Sequence, residues 1–337
     1  MAPITRDRLG GMMQAYKTTS LLRAGVRLGV FDALADGPVA VETLAGRLGI
    51  DARGARILLD ALVAVGLVET AGTGYRLAPG AGTFLVSKSP QYLGDMVKVM
   101  CSDWEWDALK RLDEAVRRGG TVMAEHAETE EYGYWVDFAA FASAIADPTA
   151  RVMCDALEPW AATRESLRVL DMACGHGIYG YTFAQRCPRA RVWSQDWPNV
   201  LPVALGHAER MGVRDRVESL AGDMFSAPLG GPYDVVMLTN VLHHFSEERG
   251  IELLGRARAA LKPDGKLALV GFTIGDKGPA EDPMPFLFSV LMLVWTAQGE
   301  VHSEAGYDRM LAASGFRNPA LHSVADLPLR VLTAEPA

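Results

Sequence analysis

A glycine-rich stretch preceded by an aspartate is the part of this 337-residue sequence whose residue types most directly suggest chemistry. Residues 169–180 have the sequence VLDMACGHGIYG, in which Gly175, Gly177 and Gly180 form a G-x-G-x-x-G pattern. After a strand, this pattern is typical of a loop that holds the pyrophosphate of a dinucleotide. Asp171, at the end of the predicted strand, would repel a pyrophosphate beside it. The stretch therefore also fits a ligand that carries a positive charge.

S-adenosylmethionine has the charges that Asp171 requires. It contains no phosphate, and it has an ammonium group, a sulfonium group and a ribose with two free hydroxyls. The small residues Ala173, Gly175 and Gly177 let the backbone approach such a ligand closely. Asp196, in RVWSQDW, follows the second predicted strand and can accept hydrogen bonds from both ribose hydroxyls. Its spacing of roughly 20 residues from the glycines suits a nicotinamide cofactor equally well.

Alternating strand and helix patterns from residue 167 onward predict the sheet that positions these residues. Strands are predicted at 167–172, 191–195, 216–221, 233–239 and 266–272, with a weaker pair at about 319–324 and 328–334. We expect a doubly wound, mostly parallel sheet, whose ligands bind outside the carboxyl ends of the strands. Asp223 and Met224, in AGDMF, follow the third strand and are expected beside the adenine.

The first part of the chain has helical periodicity followed by a hairpin, which predicts a winged helix. The predicted elements are helices at 11–35, 41–48 and 52–65 and a hairpin at 67–77. The second helix of the motif is largely apolar, with only Arg53 and Arg56 basic, so it lacks the polar, basic face that reads DNA. Helices 11–35 and 52–65 carry more apolar surface than one small domain can bury alone, so we expect a homodimer through the first 100 or so residues.

Composition narrows the class of protein further. The net charge of −8 disfavours nucleic acid and anionic membranes as partners. The longest apolar run, FLFSVLMLVW, is shorter than the roughly 20 residues that a membrane-spanning helix needs. The N-terminus lacks the apolar core of a signal peptide, and the four cysteines have no metal-like spacing, so we expect a cytoplasmic protein. Seven aromatic residues are candidates for lining a pocket for a flat ligand: Trp104, Trp106, Tyr132, Tyr134, Trp135, Phe138 and Phe141.

Six motifs occur in an order and spacing that resembles the class I S-adenosylmethionine-dependent methyltransferases. They are VLDMACGHGIYG, DWPNVL, GDMF, YDVVMLTNVLHHF, ALKPDGKLALV and AASGF. More narrowly, nearly the whole chain resembles the small-molecule O-methyltransferases of the caffeate and hydroxyneurosporene type. The resemblance implies a winged-helix-like dimerisation domain at 1–100, a helical linker at 101–160 that contributes to the substrate pocket, and a Rossmann-like catalytic domain at 161–337. It also implies S-adenosylmethionine as cofactor and a small, aromatic, hydroxyl-bearing secondary metabolite as acceptor.

The resemblance places a catalytic base at His243, in LHHF, with Glu300 orienting its ring. It implies a set of cofactor-binding residues: Asp171, Ala173, Gly175, Gly177, Asp196, Trp197, Asp223, Met224 and Asn240. The chain departs from the family at three positions, because Ala173 replaces the first loop glycine, Thr239 a frequent lysine, and Gly271 one of two acids that usually steady the histidine. These departures leave the acceptor open.

The expected chemistry is an in-line transfer of a methyl group to a nucleophile. The donor is already activated, so the protein mainly aligns the acceptor and excludes water. A phenol, with a pKa of about 10, is a poor nucleophile while protonated. A neutral histidine can take that proton as the bond forms, which gives His243 its expected role. The structural alternative is that His243 caps the helix that follows the strand.

Other functions remain open on the same residues. C-methylation of an α-keto acid or of an activated aromatic carbon is one, and in the first case His243, His244 and His302 would hold a divalent metal. The G-x-G-x-x-G pattern allows an NAD-dependent oxidoreductase, and the winged helix allows a ligand-sensing DNA-binding regulator. A further alternative is a protein that binds the cofactor but has lost methyl transfer.

The remaining histidines are assigned by their surroundings in the sequence. His176 lies in the glycine-rich loop, either near the methionine end of the cofactor or as a solvated side chain. The other three are expected at the surface: His126, His207 and His322.

Overall fold

The computed structural model describes residues 3–323 and 329–337. The chain divides into two compact units, Met1–Trp106 and Asp107–Ala337. The first unit is mainly helical, and the second contains a seven-stranded sheet with helices. None of the helices within these ranges is long and apolar enough to cross a membrane.

The N-terminal unit has the element order of a winged helix. Its elements are α1 (Arg6–Arg27), α2 (Val30–Ala33), α3 (Val41–Leu48), α4 (Ala52–Ala64), β1 (Val68–Ala71), β2 (Gly74–Leu77), α5 (Ala81–Leu85) and α6 (Gly94–Met100), and α7 (Asp103–Leu109) crosses the boundary between the units. Strands β1 and β2 form an antiparallel hairpin. Asp51 begins α4 by accepting a hydrogen bond from the Gly54 amide, a side-chain cap that stabilises the first turn.

The single helix predicted at 11–35 is wrong, because the chain forms two helices there. Helix α1 ends at Arg27, and Gly29 has a φ of +73°, a left-handed conformation that interrupts a helix. The turn brings the Phe31 ring onto α1, where a methyl group at Gly25 would lie 2.7 Å from the ring. Close packing of Phe31 on Gly25 therefore favours the break over a continuous helix.

Apolar side chains of α1 are unevenly buried. The core of the unit is formed by residues that include Phe31, Leu44 and Leu59. Four apolar side chains of α1 remain between half and about two-thirds exposed: Leu9, Met12, Met13 and Tyr16. A contiguous apolar surface of this kind is typical of a protein–protein interface.

The C-terminal unit contains a doubly wound, mostly parallel sheet, which confirms the predicted fold class. Its strands are β3 (Leu167–Met172), β4 (Ala190–Asp196), β5 (Val217–Ala221), β6 (Tyr233–Thr239), β7 (Leu261–Phe272), β8 (Phe316–Ser323) and β9 (Leu329–Pro336). They lie in the order β5-β4-β3-β6-β7-β9-β8, and only β9 and β8 run antiparallel to their neighbours. The helices are α8 (Leu112–Arg118), α9 (Tyr134–Phe141), α10 (Ser143–Ala161), α11 (Ile178–Arg186), α12 (Leu201–Arg210), α13 (Glu247–Ala260), α14 (Met284–Trp295) and α15 (Glu304–Ala313).

The bounds of β3 and β6 match the prediction, and those of the other strands of the sheet differ from it. Strand β7 begins earlier than residue 266, because Leu261 pairs with Tyr233 before a register irregularity, after which Lys266 pairs with Val235. The predicted pair at the C-terminus is the antiparallel pair β8 and β9. Val324 and Pro328, which that prediction included, lie outside the described residues.

Strand β6 explains why the sheet positions a site at one edge. All seven of its residues are buried, as expected of a central parallel strand covered on both faces. Strand β3 pairs with both β4 and β6, so the carboxyl ends of three strands lie side by side. Those ends carry Asp171, Asp196 and Thr239, and the loops that follow them form the candidate site.

Candidate active site

The loop after β3 is held in a tight, left-handed course. Ala173, Gly175 and Gly177 have φ values of +50°, +55° and +73°. A methyl group at Gly177 would lie 2.2 Å from the buried ring of Tyr181, so only glycine fits there. Ala173 adopts the same left-handed conformation although it has a side chain. This conformation costs energy and persists only where the surrounding structure enforces it. The small residues thus let the backbone approach a ligand closely at the start of α11, while the Ala173 and Gly175 amides are held by the side chains of Gln195 and Asp196.

Asp171 is completely buried just before this loop. Its Oδ2 accepts a hydrogen bond of 3.3 Å from the Gly180 amide, whereas its Oδ1 has no partner among the described residues. Burial raises the pKa of Asp171 to about 8, and the nearby Asp196 charge adds to this effect. A buried carboxyl group with a free acceptor oxygen is the counterpart that a cationic ligand group needs.

Asp196, at the end of β4, connects two parts of the loop region. The Gly175 amide donates to its Oδ2 and the Trp197 amide donates to its Oδ1, each across 2.7 Å. Burial raises the pKa of Asp196 to about 6, and the two amides oppose this rise. Each carboxylate oxygen keeps a further lone pair, so the group can still accept hydrogen bonds from ribose hydroxyls. Trp197 contributes its amide here, while its side chain is half-buried.

Gln195 is a connecting residue that the sequence reasoning missed. Its Oε1 accepts a hydrogen bond from the Ala173 amide at 3.2 Å, and its Nε2 donates to the Gly222 carbonyl at 2.6 Å. The side chain therefore ties the loop after β3 to the loop after β5. The run of polar residues Ser194, Gln195 and Asp196, all buried at the end of β4, was the available signal.

The adenine-side candidates lie just after β5. Asp223 accepts hydrogen bonds from the Phe225 amide and the Ser226 hydroxyl, so its carboxylate stabilises its own turn. The Met224 carbonyl accepts a hydrogen bond from the Arg256 guanidinium. Both Asp223 and Met224 are half-buried.

Asn240 follows β6 in a left-handed conformation, with a φ of +56°. Its Nδ2 donates to the Tyr179 hydroxyl at 3.1 Å, and its Oδ1 is buried without a partner in the described part of the chain. Asp171 and Asn240 thus provide two unpartnered acceptor oxygens at the ends of the neighbouring strands β3 and β6. An ammonium group, which has three donors, matches such a pair of acceptors. The residues present fit the amino-acid end of S-adenosylmethionine.

His243 lies in a short 3₁₀ turn, Leu242–His244, that follows Asn240. The Phe288 ring packs edge-on against it at 4.9 Å between ring centroids, and Phe272 stacks on Phe288 at 4.0 Å. Burial lowers the pKa of His243 well below its usual range, and His244 and His302 lower it further. The imidazole is therefore neutral and keeps a lone pair to accept a proton.

Glu300 does not occupy the predicted orienting position. Its side chain is exposed, and Nδ1 of His243 is buried without a hydrogen-bond partner in residues 3–323 and 329–337. The backbone at Gly299 packs against the backbone of the 3₁₀ turn, since a methyl group there would lie 2.6 Å from the His243 carbonyl oxygen. The segment that carries Glu300 therefore contacts the turn without directing the carboxylate to the ring.

The three histidines of the metal alternative are all buried. The rings of His243 and His244 lie 4.6 Å apart, and Nε2 of His302 lies 3.3 Å from the Leu242 carbonyl oxygen. Within the described ranges, no group of three or more His, Cys, Asp or Glu side chains is arranged to hold a metal ion. This arrangement gives the metal alternative no support.

Aromatic side chains of α9 and its flanks extend from the glycine-rich loop to the 3₁₀ turn. Phe138 stacks on His176 at 5.8 Å, and Trp135 packs edge-on against His244 at 5.2 Å. His176 is only 3% exposed, so the solvated alternative for it is wrong. Burial lowers the pKa of His176 to about 3, and its Nδ1 accepts a hydrogen bond from the Ile178 amide.

Some residues that were predicted to line the pocket or to lie at the surface are found elsewhere in the structure. Trp104 and Trp106 belong to the N-terminal unit, where the Arg23 guanidinium lies over the Trp106 ring. His207 is buried, and its Nε2 lies 2.9 Å from the Ala139 carbonyl, so the surface assignment is wrong. His126 and His322 are half-buried. His207 is buried because α12 packs against α9, a contact that the sequence around His207 did not predict.

Comparisons with known proteins identify the family of this chain. Residues 137–317 match the model of the O-methyltransferase domain, and residues 11–87 match that of the O-methyltransferase dimerisation domain. Acetylserotonin O-methyltransferase of Mus musculus is 31% identical over 90% of this chain and 82% of that protein. A crystal structure from Nostoc punctiforme, assigned to the O-methyltransferases, is 30% identical, covers 99% of this chain and 100% of its own, and has a TM-score of 0.90. Human N-acetylserotonin methyltransferase in complex with SAM has a TM-score of 0.83 at 24% identity, covering 100% and 99% of the two chains.

The family match and the fold define an S-adenosylmethionine-dependent methyltransferase with a Rossmann-like catalytic unit. The chain belongs to the O-methyltransferase family and carries that family's dimerisation domain at its N-terminus.

Proposed function

We propose that this enzyme transfers a methyl group from S-adenosylmethionine to a hydroxyl group of a small aromatic metabolite, with His243 as general base. The observation that supports this most is the neutral, buried imidazole of His243 beside the stacked Phe272 and Phe288 rings. His243 lies in the turn that follows β6, and β6 pairs with β3, the strand that carries Asp171. The similarity to acetylserotonin O-methyltransferase also supports an aromatic acceptor, because acetylserotonin is an aromatic compound.

Four groups of residues would hold the cofactor, which supplies an activated methyl group when bound. Asp196 would accept hydrogen bonds from the ribose hydroxyls, in addition to the Gly175 and Trp197 amides. Asp171 and Asn240 would accept from the ammonium group through the oxygens that lack partners in the described residues. The small residues at 173, 175 and 177 would allow the backbone to lie against the ligand. Asp223 and Met224 would flank the adenine.

The acceptor would lie against the Phe272–Phe288 pair, with its hydroxyl directed at Nε2 of His243. Flat apolar rings would orient an aromatic acceptor and exclude water from the reacting oxygen. As the acceptor oxygen bonds to the methyl carbon, the bond from that carbon to the donor sulfur would break and S-adenosylhomocysteine would be the leaving group. The hydroxyl proton would move to Nε2, so that the methylated product is neutral and the imidazole becomes positively charged.

The proposal is tested by incubating the purified protein with methyl-labelled cofactor and a panel of phenols, α-keto acids and aromatic amines. We expect label in a phenol ether, with full turnover after treatment with a chelator. Label on carbon or nitrogen, or turnover that requires an added divalent metal, would contradict the proposed acceptor chemistry. Binding of NAD(H) without S-adenosylmethionine, measured by calorimetry, would contradict the cofactor assignment.

We also propose that residues 1–100 form a homodimer, that residues 101–160 contribute to the acceptor site, and that catalysis lies in 161–337. The match of residues 11–87 to the dimerisation domain supports the first part. The exposed apolar side chains of α1, which include Met12 and Met13, supply surface that a second copy of the chain would bury.

A further inference from the structure

The buried Nδ1 of His243 raises the question of which group orients this imidazole. The side chain is 2% exposed, and Nδ1 has no hydrogen-bond partner among the described residues. A histidine that takes a proton at Nε2 must carry its own proton on Nδ1, and a hydrogen-bond acceptor at Nδ1 normally fixes that tautomer. A buried polar atom of this kind calls for an explanation in the surrounding structure.

Gly271, near the end of β7, borders the space beside Nδ1. A methyl group at this position would lie 3.7 Å from Nδ1 of His243 and 3.0 Å from the hydroxyl oxygen of Tyr307. The imidazole nitrogen and the tyrosine hydroxyl therefore face the same point, from the 3₁₀ turn and from α15 respectively. A side chain at residue 271 would separate them, and glycine leaves that space open.

The hydrogen bonds of Tyr307 leave its oxygen available as an acceptor. The side chain is 4% exposed, and its hydroxyl donates to the Phe272 carbonyl oxygen at 3.5 Å. Burial raises the pKa of Tyr307, so the hydroxyl remains protonated at neutral pH. Because its one proton is directed at a carbonyl, the oxygen keeps both lone pairs for accepting. The Thr273 side chain hydrogen-bonds to the oxygen, and the second lone pair can accept from the side that faces Gly271 and His243.

We propose that Tyr307 is a positioning residue for His243, and that its hydroxyl oxygen accepts the Nδ1 proton through one water molecule in the space beside Gly271. This contact holds the Nδ1–H tautomer and leaves the Nε2 lone pair directed at the acceptor. The inference rests on the proposed function, because it assumes that Nε2 of His243 is the base.

Tyr307→Phe tests the proposal with the smallest change, since it removes only the hydroxyl. We expect kcat to fall roughly tenfold, the usual effect of losing one hydrogen bond to a group that becomes charged. We expect the acceptor KM and the dissociation constant of S-adenosylhomocysteine to change less than about twofold. Tyr233→Phe is the matched control, because Tyr233 is also buried and its hydroxyl donates to the Leu229 carbonyl, away from His243. That control should leave kcat unchanged.

A carboxylate at residue 271 should replace the missing hydroxyl. In the double variant Gly271→Asp/Tyr307→Phe, the Tyr307 oxygen no longer crowds the new side chain, and the carboxylate can reach Nδ1. We expect this variant to recover most of the lost kcat. Gly271→Ala/Tyr307→Phe fills the same space without an acceptor and should remain as slow as Tyr307→Phe.

The tautomer of His243 can be measured independently of turnover by nitrogen-15 NMR of the histidine rings, with His243→Gln to assign the signals. We expect the Nδ1–H tautomer in the unaltered protein and a mixture of tautomers in Tyr307→Phe. An unchanged tautomer in Tyr307→Phe would overturn the proposal, whether or not kcat falls. If His243→Ala leaves turnover intact, the base role fails instead, and the tautomer measurement still decides whether Tyr307 contacts Nδ1.

Discussion

The backbone amide of Gly175 donates a hydrogen bond to Oδ2 of Asp196 across 2.7 Å, which joins the glycine-rich loop after β3 to the end of β4. The same carboxylate accepts from the Trp197 amide. Asp196 therefore shapes the loop on which the cofactor would lie, as well as being its proposed ribose ligand. Its removal affects both.

Asp196→Ala is expected to weaken binding of S-adenosylmethionine. The loss of hydrogen bonds to a buried charged group costs about 1–3 kcal/mol, which corresponds to roughly a 5- to 150-fold rise in the dissociation constant. Isothermal titration calorimetry provides the measurement. Glu218→Ala, an exposed acid on the neighbouring strand β5, is the control and should bind normally. Unchanged affinity in Asp196→Ala would refute its ribose role.

Binding of the cofactor should release a proton from Asp171. Burial raises the pKa of Asp171 from 3.8 to about 8 in the cofactor-free protein, so it is largely protonated at pH 7.5. An adjacent ammonium group favours the ionised carboxylate and lowers this pKa, so affinity should increase as the pH rises towards 8. Asp196, with a pKa of about 6, is already mostly ionised at pH 7.5 and contributes little.

Calorimetry at pH 7.5 in two buffers with different ionisation enthalpies measures that proton directly. We expect the apparent binding enthalpies to differ in the unaltered protein and to agree in Asp171→Asn. The same shift affects folding: without cofactor, Asp171 keeps its proton in the folded protein but not in the unfolded chain between about pH 4 and 8, so the contribution of Asp171 to stability should fall as the pH rises through this window. Equal enthalpies in both buffers for the unaltered protein would contradict the proposed role of Asp171.

The sheet was predictable from sequence because its strands are apolar runs separated by helical patterns. Asp171 and Asp196 could be placed at one edge because parallel strands end on the same side of a sheet. The contacts of Gln195 and Tyr307 could not be predicted from the sequence, since their hydrogen-bond partners lie 22 to 35 residues away along the chain. For Glu300 the sequence placed the segment near the 3₁₀ turn but not the side chain, which is exposed and does not contact His243.

His243→Ala is expected to lower kcat by roughly 10²–10⁴-fold, the usual contribution of a general base. The dissociation constant of S-adenosylhomocysteine should stay within about twofold, because the proposed cofactor ligands are other residues. His322→Ala, a half-buried histidine on β8 that contacts Thr333, is the control. Turnover equal to that of the unaltered enzyme in His243→Ala would exclude a base role.

Phe288→Ala should raise the acceptor KM with little effect on cofactor binding. Loss of the ring removes the stacking partner of Phe272 and about 1–2 kcal/mol of apolar contact, or roughly a 5- to 30-fold effect. Leu287→Ala, which changes an exposed residue on the same helix α14, is the control. If both variants have the same KM, the acceptor does not lie against Phe288.

Charges on the exposed face of α1 should disrupt the proposed homodimer. Met12→Lys/Met13→Lys places two charged groups where a second copy would bury apolar surface, and we expect light scattering at micromolar concentration to show half the mass. Val116→Lys, on an exposed position of α8, should leave the mass unchanged. A monomeric unaltered protein would contradict the homodimer.

A crystal structure with S-adenosylhomocysteine is the most direct test that the loop between Asp171 and Asp196 holds the methyl donor. We expect the ribose hydroxyls within hydrogen-bonding distance of the Asp196 carboxylate, and the amino group of the ligand at the acceptor oxygens of Asp171 and Asn240. A ligand bound elsewhere, or a ligand whose ribose and amino group contact none of these three side chains, would contradict the account.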